Sequence, residues 1–108
     1  RELSNTSLKL PIEKQNCQHV FHLYTIYHPK RNLIIKKLEE KNVQIKIYYP
    51  YPIHKMKAYN NLNKKRKLHL PITEKISKGI FSLPLYPKLK YSEAYKVAEV
   101  LKNIVKTI

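Results

Sequence analysis

A single glycine set against seven prolines is the strongest constraint on what this chain can build. Phosphate cradles of the G-x-G-x-x-G and G-x-x-x-x-G-K-[ST] kinds need several glycines, so one glycine excludes them in their usual form. The prolines, at 11, 29, 50, 52, 71, 84 and 87, cut the rest into short pieces. Proline fixes φ and has no N–H to donate, so helices and strands must lie between these points.

The pieces carry readable periods. Residues 1–18 form an entry segment broken at Pro11. Residues 19–27, HVFHLYTIY, are rich in β-branched and aromatic types, apolar on both faces, and predict a central strand. Pro29 suits the first turn of a helix over 30–41, with Ile34, Ile35 and Leu38 as its apolar stripe and Asn42 closing it in a left-handed conformation. In 43–49, VQIKIYY, Val43, Ile45 and Ile47 share one face, which predicts a half-buried strand ended by Pro50 and Pro52. Residues 53–70 read as loop, with one helical turn around Met56–Asn61. Pro71 and Gly79 bracket a helix, proline first and glycine last. IFSL, 80–83, is a short strand. Residues 92–108 predict an amphipathic helix with Ser92 as N-cap and Val97, Val100, Leu101, Ile104, Val105 and Ile108 as the buried stripe. This order gives an α/β fold, an α+β two-layer sandwich in one domain spanning 1–108.

The 108 residues suffice for one domain, which at this size buries roughly two thirds of its unfolded surface. Arg1 stands first and Met56 is the one methionine, so the chain is expected to be processed, trimmed or read from an incomplete gene. A net charge of +15 points to polyanions or anionic lipid. Abundant Lys, Ile, Asn and Tyr also follow from AT-rich codons, and that reading is preferred to a polyanion partner. Cys17 is alone, which rules out an internal disulfide and a multi-cysteine zinc site and fits a reducing cytoplasm. No apolar run approaches the roughly 20 residues of a membrane span, and the N-terminus lacks a signal peptide's apolar stretch.

Few residues carry obvious chemistry. His19 and His22, three apart on a strand, point to opposite faces and cannot share a metal ion. Glu39 and Glu40 diverge on a helix, so a two-carboxylate hydrolase is disfavoured. The basic run NKKRK at 63–67 is read as a solvated loop rather than a phosphate patch. The most specific stretch is YYPYPIH at 48–54. Two prolines stiffen it, and a stiff loop after a strand holds polar groups at a cleft. Its tyrosines and histidine can bond sugar hydroxyls or phosphate, and tyrosine rings stack on flat groups. A proline-rich turn whose tyrosines only pack accounts for the residues equally well.

At this loop the chain resembles the C-terminal domain of DegT/DnrJ/StrS sugar aminotransferases. The similar run begins with HVFHLYTIY and a helix opening near Arg31. It continues through YPYPIH at 49–54, Tyr59, LPITEK at 70–75, SLPLYP at 82–87, and a last helix with Tyr95 and Val97. The resemblance covers the chain from about Leu8 onward. Asn42 stands where the family usually has glycine, Gln44 where a second often stands, and Tyr48 where it has histidine.

The resemblance implies the small domain of a fold-type I, pyridoxal 5'-phosphate-dependent enzyme. Such enzymes move an amino group from glutamate to a keto sugar attached to a nucleotide, and the full-length enzyme is expected to be a cytoplasmic homodimer. Lysine Schiff base, acidic partner and phosphate cup belong to an upstream domain. This chain alone is therefore expected to bind no cofactor, to hold no catalytic residue and to be inactive. Tyr48, Tyr49 and His54 are expected to line the sugar-binding mouth, with Tyr59 and Tyr86 behind them and His54 as the leading candidate. The face toward the cofactor domain is expected to be apolar or aromatic and to drive self-association. No membrane partner is expected. The competing readings are a stand-alone basic module binding nucleic acid, disfavoured here, and an inactive remnant.

Overall fold

Phe81 and Ile26 sit opposite each other at the centre of the fold, both fully buried. A computed structural model, which describes residues 1–59, 61, 64 and 68–108, places them on two antiparallel strands, β1 (Tyr24–Tyr27) and β2 (Ile80–Leu83). The register pairs Tyr24 with Leu83 and Tyr27 with Ile80. One bridge extends the sheet on each side, Lys9 to Tyr27 and Lys46 to Ser82, so four chain segments lie side by side. The helices α1 (Arg31–Glu39), α2 (Pro71–Gly79) and α3 (Tyr91–Lys106) join the sheet. Ile34 and Leu38 of α1 and Leu101, Ile104 and Val105 of α3 close over Ile26 and Phe81, making the helical layer of a two-layer sandwich. Burial of these side chains is the main force holding the layers together.

The helices follow their sequence signals closely. The stripe expected on the last helix is buried or half-buried from Val97 onward, while Tyr91 and Tyr95 at its start are exposed. Its N-cap is Lys90 rather than Ser92: the Glu93 carboxylate accepts the Lys90 N–H at 2.9 Å, which satisfies an amide the helix leaves orphaned. After α1, Asn42 adopts φ 59° and its N–H reaches the Glu39 carbonyl at 2.9 Å. A left-handed residue is what this end requires, so glycine or asparagine suits it.

Gly79 is needed for a different reason from the one its position suggests. Its φ is not positive; a Cβ there would stand 2.3 Å from the Tyr27 ring. The glycine therefore permits close approach of α2's end to β1. Arg31 reinforces the same junction. Its Nη1 donates to the Ser77 carbonyl at 2.7 Å and the Ile80 carbonyl at 3.2 Å, placing a cation on the last turn of α2. Burial lowers the guanidinium below its ordinary value.

Two strand expectations are corrected. The run 19–27 pairs only from Tyr24. Upstream, the Phe21 N–H donates to His19 Nδ1 at 2.8 Å, Phe21 turns left-handed at φ 46°, and the two rings stack 4.2 Å apart. A side chain has captured the amide a ladder would have used. In 43–49, Val43, Ile45 and Ile47 are half-buried against the core as their alternation requires. Pairing there reduces to the single bridge at Lys46, and the segment is not a regular strand. The entry segment does more than expected, since Leu3 and Leu8 are buried in the core and Lys9 lengthens the sheet.

Candidate functional site

Past Ile47 the chain leaves the sheet and runs into the proline loop. Two 3₁₀ turns, Ile53–Lys55 and Lys57–Tyr59, fold it back. The second of them falls within Met56–Asn61, where one helical turn is expected, and the first precedes it; Asn60 and most of the basic run 63–67 lie outside the described residues. The loop returns toward α2, and between them opens a cavity of about 700 Å³. Tyr49, Tyr51, His54 and Tyr59 border it from the loop, with Thr73 and Ile76 from α2.

The five expected site residues are not all brought together. Tyr49, His54 and Tyr59 border the cavity. Tyr48 meets Tyr49, its ring edge-on with centroids 5.8 Å apart, and Tyr86 stands after β2; neither borders the cavity. Tyr51 takes a place the sequence reading left unassigned, and it is largely exposed.

His54 itself is buried and committed to a hydrogen bond. Its Nε2 lies 3.0 Å from Glu74 Oε1, and the same oxygen meets Lys55 Nζ at 3.4 Å and the Leu70 N–H at 3.4 Å. The hydrogen bond from His54 lowers the Glu74 carboxyl to about 2, with the Leu70 amide and Lys55 adding to it and desolvation opposing. The carboxylate is therefore ionised at neutral pH, and an ionised carboxylate only accepts. His54 Nε2 must carry a proton and donate it. Glu74 was visible in the sequence only as the acid of LPITEK, 20 residues from His54.

The cavity can therefore offer flat aromatic faces, a few hydroxyls and an apolar floor, which suits a ligand with a stacking surface and polar edges. No described lysine is buried, and none borders this cavity. A Schiff-base lysine needs an enclosed site that lowers its pKa, and an acid placed against the pyridine nitrogen. These side chains do not fit a pyridoxal phosphate site by themselves. Among the described residues, no three His, Cys, Asp or Glu side chains gather as metal ligands. His19 accepts the Phe21 amide.

The same arrangement of elements occurs in known proteins. The chain is 35% identical over 99 residues to a dTDP-3-amino-3,4,6-trideoxy-alpha-D-glucose transaminase of Micromonospora megalomicea, a match covering 91% of this chain and 26% of that one. It is 33% identical over 91 residues to a 3-oxo-glucose-6-phosphate:glutamate aminotransferase of Bacillus subtilis, covering 82% and 21%. The solved structure of NtdA from Bacillus subtilis with bound cofactor PMP superposes with a TM-score of 0.82 at 35% identity, covering 97% of this chain and 25% of that one. The chain thus spans about a quarter of the length of these relatives. With residues 1–102 matching the family's pattern as well, the chain belongs to the DegT/DnrJ/EryC1/StrS aminotransferase family.

Proposed function

We propose that this chain is the single C-terminal domain of a pyridoxal-phosphate-dependent aminotransferase that moves an amino group from glutamate to a keto sugar carried on a nucleotide. Its share of the work is to form one wall of the substrate cleft. The observation that carries the reading is the tyrosine-lined cavity at the stretch where the resemblance to sugar aminotransferases is most specific. Tyr49 and Tyr51 are exposed, and their rings can stack on a base or a sugar face while their hydroxyls bond its edges. The cofactor, when bound by the remainder of the enzyme, supplies the electron sink for amino transfer. The relatives' names support a sugar substrate bearing phosphate and, in one case, glutamate as donor.

Exposed apolar side chains beside the cavity, among them Ile53, Leu70 and Ile72, fit a face covered in the assembled enzyme. The full-length enzyme is read as a homodimer working in the cytoplasm. The described helices include none long and apolar enough to cross a membrane.

The intact mass of the native polypeptide is the first test. A mass several times the 12.9 kDa of this chain, with stoichiometric conversion of glutamate to 2-oxoglutarate in the presence of a nucleotide-linked keto sugar, supports the reading. A native mass equal to this chain with no glutamate consumed overturns it. Conversion only with a keto sugar phosphate would replace the nucleotide part.

A further inference from the structure

Three groups converge on one carboxylate outside the tyrosine wall. Glu74 Oε1 meets His54 Nε2 at 3.0 Å, Lys55 Nζ at 3.4 Å and the Leu70 N–H at 3.4 Å. Its own element is α2, where its N–H bonds the Leu70 carbonyl at 2.9 Å. His54 and Lys55 belong to the loop, in the 3₁₀ turn that follows Pro52. The side chain of His54 is only 6% exposed and that of Glu74 22% exposed, so the pair is largely shielded from water. Around this contact Tyr49, Tyr51 and Ile53 are all exposed.

We propose that Glu74 is a positioning residue for the candidate site, binding His54 and Lys55 so that the loop presents Tyr49 and Tyr51 to the cavity. The inference rests on the aminotransferase reading for what the tyrosines bind, though not for the strut itself. It also reassigns His54. With Nε2 donating to Glu74 and the ring buried, His54 orders the loop, and contact with the ligand falls to the tyrosines. The strut is stronger than an ordinary neutral hydrogen bond because donor and acceptor geometry is backed by full charge on the carboxylate. Glu74 thus joins the start of α2 to the loop.

The test compares the native polypeptide with Glu74→Ala and Glu74→Gln. Two readouts are independent of turnover. In the unsubstituted protein a long-range ¹H–¹⁵N correlation should find the His54 Nε2 proton protected from exchange with water, and Glu74→Ala should abolish that protection. Chemical nitration should modify the loop tyrosines faster in Glu74→Ala. A third readout is kinetic. Losing a charge-assisted hydrogen bond should raise KM for the keto sugar about tenfold with kcat changed less than about twofold. Glu74→Gln, which keeps the shape and an acceptor, should fall between. Should the alanine variant fail to fold, the glutamine variant carries the same comparison. An unprotected His54 Nε2 proton in the unsubstituted protein overturns the proposal, as do unchanged KM and unchanged nitration in a folded variant. If the unsubstituted protein transfers no amino group, the functional reading fails, while the proton and nitration measurements still decide the strut.

Discussion

Ile26, Ile34, Leu38, Phe81 and Leu101 are wholly enclosed, whereas Tyr49, Tyr51, Ile53 and Ile72 are each about two thirds or more exposed. The first group is drawn from β1, α1, β2 and α3 and makes a closed apolar core. The second group pairs two tyrosines with two isoleucines: Ile72 opens α2, and the other three sit on a segment held by prolines, two 3₁₀ turns and the contacts of Glu74. Where side chains meet each other, the sequence period specifies the structure. Where they await another surface, polar anchors do so. If that division is right, substitutions of equal size should have very unequal effects on the two sides. The largest contrast is Phe81→Ala against Ile72→Ala. Emptying the Phe81 site should cost about 3–5 kcal/mol in urea unfolding, while Ile72→Ala should stay within about 0.5 kcal/mol. Comparable losses from the two would break the comparison, because Ile72 would then be part of the core.

The junction between the halves gives the next effect. Gly79 ends α2 and opens β2 with the Tyr27 ring against it, so Gly79→Ala places a methyl 2.3 Å from an aromatic carbon. Overpacking of this kind should cost about 1–3 kcal/mol. Replacing Tyr27 by alanine in the same chain should remove most of the clash, and a double-mutant cycle would show strong coupling. Additive losses would mean that Gly79 acts through the backbone instead.

These cases show what was legible in the sequence. The bounds of α2 and β2 could be read directly, because Pro71, Gly79 and Pro84 punctuate them. The left-handed Asn42 could be read too, since a helix end and an asparagine coincide. The strand at 19–23 could not, because its failure depends on His19 taking the Phe21 amide, a local competition that β propensity does not encode. Alternation at 43–49 reported which side chains face the core, but the number of ladder bonds depends on the partner strand. At the site, Tyr49, His54 and Tyr59 were legible from the loop motif, and Tyr51 sat unassigned among them. The role of Glu74 was not legible, since a contact 20 residues away requires the fold.

On the core side, His28 should give the molecule a mild sensitivity near neutrality. Its Nδ1 accepts the Lys30 N–H at 3.1 Å, so the neutral ring carries its proton on Nε2, 3.1 Å from Ser7 Oγ. Burial first, and the Lys30 charge second, hold the imidazole below its ordinary 6.5. The folded protein therefore binds fewer protons than the unfolded chain in this range, and stability should fall as pH drops below 6.5. Thermal unfolding at pH 7.5 and pH 5.5 should show a lower Tm in acid, and His28→Gln should reduce the difference. A Tm difference unchanged in that variant would assign the sensitivity to another group.

On the loop side the same linkage runs at lower pH. Glu74 has a folded value of about 2 against an ordinary 4.5, so its contribution is complete above 4.5 and is lost as pH falls toward about 2. Protonation removes the charge that binds Lys55 and weakens the bond from His54, while Ile26, Phe81 and Leu101 carry no titrating group. Below the range in which His28 acts, the loop should therefore open while the core, weakened but still packed, stays closed. Pepsin works in this range and cuts beside aromatic residues, four of which lie at 48–59. Cleavage there, measured relative to an unstructured control peptide, should accelerate between pH 4.5 and pH 2 while fragments carrying the core remain folded. Glu74→Gln has no carboxyl to titrate and should be cut at one relative rate throughout. Equal acceleration in both proteins would place the acid-sensitive anchor elsewhere and dissolve the distinction between a loop held by charge and a core held by burial.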